Sequence, residues 1–232
     1  MEKLAADGVG LIITVITEFP VSGSRRAKGS VSAIVTDHHL PGRFAACGRC
    51  VDPHRADCPS EFKEICGAEV VFRLICVAEG VEPEELLSEY ADILSVAVTA
   101  DVMPLKGENR SIVKDGIKKL KSAPSAGLSA IMSVAGIKCG DMNASRIAFG
   151  IAPRINAAGR LGNADIAFRL LTTDNESEAL KLAKRIDELN TERRETENEI
   201  FKKAAEIIEK EGLAHRRVIV VSGKAGTRAL WA

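Results

Sequence analysis

The chain has 232 residues, of which 46% are hydrophobic and 28% charged, and 32 basic side chains balance 32 acidic ones. That composition excludes a disordered or fibrous chain, and no apolar run approaches the roughly 18 residues that a membrane span requires. The N-terminus shows no basic patch ahead of an apolar stretch, so no secretory signal is legible and a cytoplasmic setting is expected. The neutral total conceals an asymmetry. Residues 1–110 carry 11 basic and 17 acidic side chains, whereas residues 111–173 carry 9 and 3. An acidic front and a basic middle suit a metal site beside a phosphate site, or reflect surface variation alone.

In chain order, residues 9–15 (VGLIITV) and 31–36 (VSAIVT) read as short buried strands. Such unbroken apolar runs are typical of a parallel sheet covered on both faces. The intervening residues 16–30 are poor material for the crossover helix that parallel strands need, holding Pro20, Gly23 and Gly29 without an apolar period. Residues 37–60 read as loop. Residues 67–79 are predicted helical, as is a helix opening at Pro83 behind acidic first-turn residues and running to about Ala100. Two short helices are predicted over 110–121 and 125–135, and a loop or turn over 150–162. Thr173 and Glu176 form a candidate capping box for a long helix over 174–211, on the order of 55 Å from end to end. That span reads either as one helix bridging two bodies or as two helices broken near Asn190-Thr191. Residues 217–222 (RVIVVS) read as a further strand.

Three constellations offer chemistry. Thr36-Asp37-His38-His39 closes a predicted parallel strand, the end at which open α/β sheets bind ligands. A carboxylate and two imidazoles there supply oxygen and nitrogen ligands suited to Mn²⁺, Mg²⁺ or Zn²⁺. Asp101 ends an otherwise apolar segment, as a helix-end outlier or as a metal ligand, while Asp92 reads as a polar-face residue of the same helix. Arg154, Asn156 and Arg160 surround a glycine turn, either holding phosphate through guanidinium and backbone N–H groups or standing as solvated arginines in a capping loop. Cys47 and Cys50, with His54, Cys58 and Cys66 nearby, read as a structural zinc loop or as ordinary free thiols.

Together, VTDHHLPG (35–42), VDPHRADCPSEFKEICGA (51–68), DILSVAVTADVMPLKGENRSIVKDG (92–116) and RINAAGRLGNADIAFRLLTTD (154–174) resemble the DHH phosphoesterase superfamily, and most closely its RecJ branch of single-strand-specific 5′→3′ DNA exonucleases. The resemblance implies an α/β fold, a parallel sheet flanked by helices and followed by a long connecting helix. It implies two divalent ions, Mn²⁺ or Mg²⁺, single-stranded DNA as substrate, and repair or replication proteins as partners. It assigns catalytic roles to Asp37, His38, His39 and Asp101, with His38 and Asp101 as metal ligands, and substrate phosphates to Arg154, Asn156 and Arg160. It divides the chain into a partial DHH domain (1–173), a connecting helix (174–211) and the start of a truncated second domain (212–232).

The departures from the family's pattern carry expectations of their own. No aspartate-rich early strand precedes residue 9, and the aspartate expected after the first strand is Ile16. Segments 16–30, 43–50 and 223–232 break the pattern in a way that suggests reading-frame errors or a decayed gene. The chain is therefore expected to be inactive or weakly active. The alternatives are a degenerate binding scaffold, or a phosphatase or oligoribonuclease acting on short substrates.

Overall fold

The computed structural model describes residues 2–16, 32–40, 50–160 and 164–222. The expectations for segments 17–31, 41–49 and 223–232, the crossover helix and Cys47 among them, lie outside these residues. Two compact units are present, the first ending at Ala123 and the second beginning at Pro124.

The first unit opens with a short helix, α1 (Glu2–Ala6), and contains β1 (Leu11–Val15), β2 (Ser32–Thr36) and β3 (Cys50–Val51), a parallel sheet in the order β1-β2-β3. Leu11 pairs with Ser32 and Val15 with Thr36, and Thr36 in turn with Val51. The three strands therefore end together, and Ile16, Asp37 and Asp52 follow them in register. Thr36 is locked there by its hydroxyl, which donates to the Thr14 carbonyl at 2.9 Å. Leu11, Ile13 and Val15 alternate along β1 and are 45–49% exposed, as an edge strand allows.

Three helices complete this unit: α2 (Gly67–Glu79), α3 (Pro83–Ala100) and α4 (Gly107–Ser122). The first two follow the predicted boundaries. In α2 the Glu69 carboxylate reaches back to the Cys66 N–H at 2.8 Å, and Gly80 ends the helix in the left-handed region that glycine adopts without a Cβ penalty. Pro83 occupies the first turn of α3, where its missing N–H costs nothing. Asp92 corrects the sequence reading. It is 2% exposed and lies 3.4 Å from Lys119 of α4, a residue whose ammonium also donates to the carbonyls of Ser88 and Glu89. The 3.6-residue period put Asp92 on a polar face, but α4 packs over that face through Gly116, where a Cβ would overlap Ser95 and the Ala91 carbonyl.

The second unit is helical: α5 (Ala126–Val134), α6 (Ala144–Arg146), a π-helical turn (Ile147–Ile151), α7 (Ala152–Arg160), α8 (Ala164–Thr172) and α9 (Glu176–Lys210). The predicted loop over 150–162 is thus largely helix. Its Pro153 sits at the second position of α7, where proline is tolerated, and Gly159 falls in that helix's last turn. The long helix is continuous through Asn190-Thr191, and its cap is Asn175, whose side chain accepts from the Glu178 N–H at 2.9 Å. Thr173 instead bonds the Glu178 carboxylate. Residues 217–222 form no strand. Ala179, Ala183, Ile186 and Leu189 of α9 are buried at helical spacing, whereas residues 191–210 include no buried position. Among the described residues no helix is long and apolar enough to cross a membrane.

Candidate metal centre

The C-terminal ends of β2 and β3 and the end of α3 build the site. The Asp37 N–H donates to the Val51 carbonyl at 3.0 Å, which carries the ladder one residue past the strand. Beyond it the chain turns, and Asp37 Oδ1 accepts from the backbone N–H of His38 at 2.7 Å and of His39 at 3.3 Å. The same oxygen lies 2.8 Å from His39 Nδ1. Burial is the largest single influence on this carboxyl and pushes its pKa up. The His38 N–H, the His39 ring and the His39 N–H outweigh it and hold the group below the usual value. Asp37 is thus an ionised acceptor that fixes the loop. With Nδ1 of His39 turned to Asp37, the opposite nitrogen, Nε2, faces outward from a half-exposed ring.

His38 is the buried member of the pair, 8% exposed, and its ring lies 4.4 Å from that of His39. Its Nε2 stands 2.8 Å from Asp101 Oδ2. Two ligands at right angles on one ion, each bonded at about 2.1 Å, lie about 3 Å apart, so this separation suits a nitrogen and an oxygen sharing a divalent cation. Among the described residues the group of three or more histidine, cysteine, aspartate or glutamate side chains able to close on an ion is Asp37, His38 and His39. The donor set of imidazole and carboxylate fits Mn²⁺, and also Mg²⁺ with water completing the shell. Asp101 is thus within reach of an ion bound by His38. It caps α3, its N–H bonded to the Ala97 carbonyl, and its carboxylate is brought against His38.

The other ring nitrogen of His38 is less well served. Nδ1 is buried with no hydrogen-bond partner, because Asp37 Oδ1 is 3.9 Å away. Ile16 and Gly67 close the space on this side: a Cβ on Gly67 would overlap the Ile16 side chain and come 3.2 Å from Nδ1. Ile16 has φ +50° and Val102, next to Asp101, has φ +56°. β-Branched residues rarely enter this region, at a cost on the order of 1–3 kcal/mol each. Among the described non-glycine residues these two alone do so, and both flank the site.

Asp52 was legible only as part of a loop, and His54 only as a neighbour of the cysteines. Asp52 follows β3 as Asp37 follows β2. It is buried, and its Oδ1 accepts from the His54 N–H at 2.8 Å. His54 Nδ1 is buried without a partner. A Val-Asp-Pro-His run after an apolar residue was the available signal. Cys47 of the zinc reading lies outside the described residues; among those described, Cys50, His54, Cys58 and Cys66 form no metal-sized group.

Arg154, Asn156 and Arg160 belong to the second unit. Arg154 does not stand free. It donates through Nε to Asp187 at 2.8 Å and through Nη1 to the Gly150 carbonyl at 2.7 Å, bracing α7 against α9. Asn156 is exposed on α7, and Arg160 is the last residue of that helix.

The parallel sheet with an Asp-His-His turn at its carboxyl edge has the architecture of a DHH-type domain. Residues 10–98 match the DHH family, N-terminal domain. Asp101 lies three residues beyond the match and joins the site through His38. Over most of its length the chain is similar to single-stranded-DNA-specific exonucleases named RecJ. Identity is 36% over 94% of this chain and 28% of the relative from Bacillus subtilis, and 38% over 76% of this chain and 26% of the one from Thermus thermophilus. It is 31% over 90% of this chain and 39% of the one from Escherichia coli. The chain thus spans well under half the length of these curated relatives. A crystal structure of Thermus thermophilus RecJ in complex with Mn²⁺ superposes with a TM-score of 0.74 at 34% identity, covering 88% of this chain and 31% of that one. Its Mg²⁺ complex gives 0.66 over 84% and 28%.

Proposed function

We propose that the chain is part of a RecJ-type exonuclease, a cytoplasmic enzyme that hydrolyses phosphodiesters of single-stranded DNA from the 5′ end in repair and recombination. The observation that carries this reading is the 2.8 Å pairing of His38 Nε2 with Asp101 Oδ2 at the carboxyl end of the parallel sheet. His38 and Asp101 would hold a divalent ion, Mn²⁺ or Mg²⁺. Bound there, such an ion supplies Lewis-acid polarisation of a phosphoryl oxygen and a water acidic enough to attack. Asp37 orients the pair of imidazoles, and outward-facing His39 Nε2 is placed to contact the scissile phosphate. Arg154, Asn156 and Arg160 are assigned to substrate phosphates. For Arg154 that role requires one guanidinium edge beyond those given to Asp187 and Gly150. Residues 174–211 are read as a connector between this domain and a second one.

The chain by itself is expected to turn over slowly, because Ile16 places a hydrocarbon side chain where the site closes on His38 Nδ1. Mn²⁺ binding followed by electron paramagnetic resonance tests the assignment. His38→Ala is expected to weaken binding by more than about 100-fold, beyond what loss of an outer-shell partner costs. The slow Mn²⁺-dependent release of nucleotides from a 5′-labelled strand should vanish in the same variant. Metal binding unchanged by His38→Ala and by Asp101→Asn would overturn the reading. The orphaned Nδ1 favours one alternative, a degenerate DHH scaffold. A folded chain that binds no Mn²⁺ at all would establish it.

A further inference from the structure

A groove of about 380 Å³ runs along α4, lined by Leu105, Arg110, Val113, Lys114, Ile117, Lys118 and Lys121. Its floor is aliphatic, and four cations stand along it at intervals of four, four and three residues. They form a single file of about 16 Å, with about 6 Å between the first members. No carboxylate lines the groove. Lys118 pairs with Asp115 at 2.7 Å in an exposed contact that is weak in water, and Arg110, Lys114 and Lys121 have no ion-pair partner among the described residues. The contrast with Lys119 is instructive. It lies on the same helix but turns into α3, with Asp92, Ser88 and Glu89 satisfying it. Packing onto α3 therefore accounts for one lysine of α4 and leaves the file unexplained.

The position of the file is also informative. Leu105 is four residues on from Asp101 and so lies at most about 14 Å from it. The cations then lead away along the helix.

We infer that this groove is a binding track for the sugar–phosphate backbone of a single strand, holding the nucleotides next to the one at the metal centre. Three features favour a nucleic-acid strand over an acidic peptide: the linear file, a spacing comparable to that of successive phosphates on an extended strand, and a start on the helix that follows Asp101 in the chain. The groove has no aromatic side chain on which bases could stack, so the contact is with phosphates and sugars and carries no sequence preference. The identity of the polymer rests on the nuclease reading above.

The test is the salt dependence of binding. A fluorescent polydeoxythymidine strand is titrated with the full chain in chelator, so that no hydrolysis occurs, and again with the variant carrying Lys114→Gln, Lys118→Gln and Lys121→Gln. Each phosphate contact contributes about 0.7 to the slope of log affinity against log salt for a single strand. Losing three should flatten the slope by about 2, so that the affinity lost between about 50 and 200 mM salt shrinks by about 18-fold. Circular dichroism and Mn²⁺ affinity should stay at wild-type values. A slope unchanged in the variant overturns the track. So does an acidic, leucine-containing peptide whose binding is lost in the variant while that of the strand is not. If instead His38→Ala leaves metal binding intact while the slope flattens as expected, the track stands and the nuclease assignment falls.

Discussion

Of the eight buried polar residues found among the described part of the chain, Thr36, His38, Asp52, Glu69, Asp92, Ser95 and Asn109 lie before Ala123, and Asn190 alone lies after it. The second unit is built around Leu128, Ile131, Ile147, Ile151, Leu170 and Ile186, fully buried and apolar. Burying polar groups costs free energy unless each is paired, and the first unit leaves His38 Nδ1, His54 Nδ1, Glu69 Oε1 and Asn109 Oδ1 without hydrogen-bond partners, against Arg193 Nε in the second. It also holds the two strained β-branched residues, Ile16 and Val102. Stability is given up where a ligand would be held, and the helical unit follows ordinary packing rules. The stability of the first unit should therefore respond to metal and pH, and that of the second to packing and to its Arg154–Asp187 brace.

Metal gives the largest expected difference. At Mn²⁺ concentrations about 100-fold above its dissociation constant, binding should stabilise the wild-type chain by about 2.7 kcal/mol, read as a rise in thermal midpoint. His38→Ala should abolish that rise, and Arg154→Ala should leave it intact. A chain whose Mn²⁺ response survives His38→Ala but not Arg154→Ala would reverse the comparison between the units.

Packing comes next, and it should treat the units alike. A Cβ on Gly127 would overlap the backbone carbonyl of Leu170, and one on Gly116 would overlap Ser95 and the Ala91 carbonyl. A backbone carbonyl cannot swing aside as a side chain can. Gly127→Ala and Gly116→Ala are each expected to destabilise by about 3 kcal/mol, the upper part of the range for overpacking, whereas Gly159→Ala, in a helix with open space around it, should not destabilise, since alanine is the better helix former by about 1 kcal/mol. Urea denaturation that ranks Gly159→Ala with the other two would contradict the close helix contacts.

Much of this was legible in the sequence for one physical reason: where local chemistry determines structure, local residues reveal it. The bounds of α2 and α3 follow from Gly80 and Pro83, and the strand ends follow from where the apolar runs stop. Asp37 and His38 stood out because polar residues directly after a buried strand have few structural uses. The errors fall where tertiary contacts decide. Glycine and proline in 150–162 read as a loop, but Pro153 is near a helix start and the helix continues to Arg160. Asp92 read as solvated because its cover, α4, arrives from elsewhere in the sequence. The brace from Arg154 was likewise hidden, since nothing local announces Asp187, 33 residues further on.

That brace is the next test. Arg154→Ala removes two charge-assisted hydrogen bonds and should cost about 1.5–3 kcal/mol. A double-mutant cycle with Asp187→Asn should return a coupling of at least about 0.5 kcal/mol. If the cycle returns none, Arg154 is free for phosphate and the second unit takes a larger share of the chemistry.

The smallest expected effect concerns Glu69. Burial is the main cause that raises its pKa, with Glu108 adding to it, while the N–H and side chain of Cys66 and the charge of Arg73 work in the opposite direction. The folded chain therefore keeps a proton that the unfolded chain has released, in the interval between the ordinary glutamate value of 4.5 and the raised folded one. The stability contributed by the neutral carboxyl is fully present below 4.5 and is lost as pH rises through the folded pKa, at about 1.4 kcal/mol for each unit of displacement. Asp37, displaced downward, acts in the opposite sense and in a separate window, adding stability above 3.8 and losing it as pH falls. Glu69→Gln keeps an acceptor for the Cys66 N–H and removes the titration. Urea midpoints of this variant should fall less than those of the wild type as pH rises from about 4.5 towards neutrality. Parallel curves would mean that Glu69 is solvated, and the first unit would then bury less polar chemistry than its accessible surface suggests.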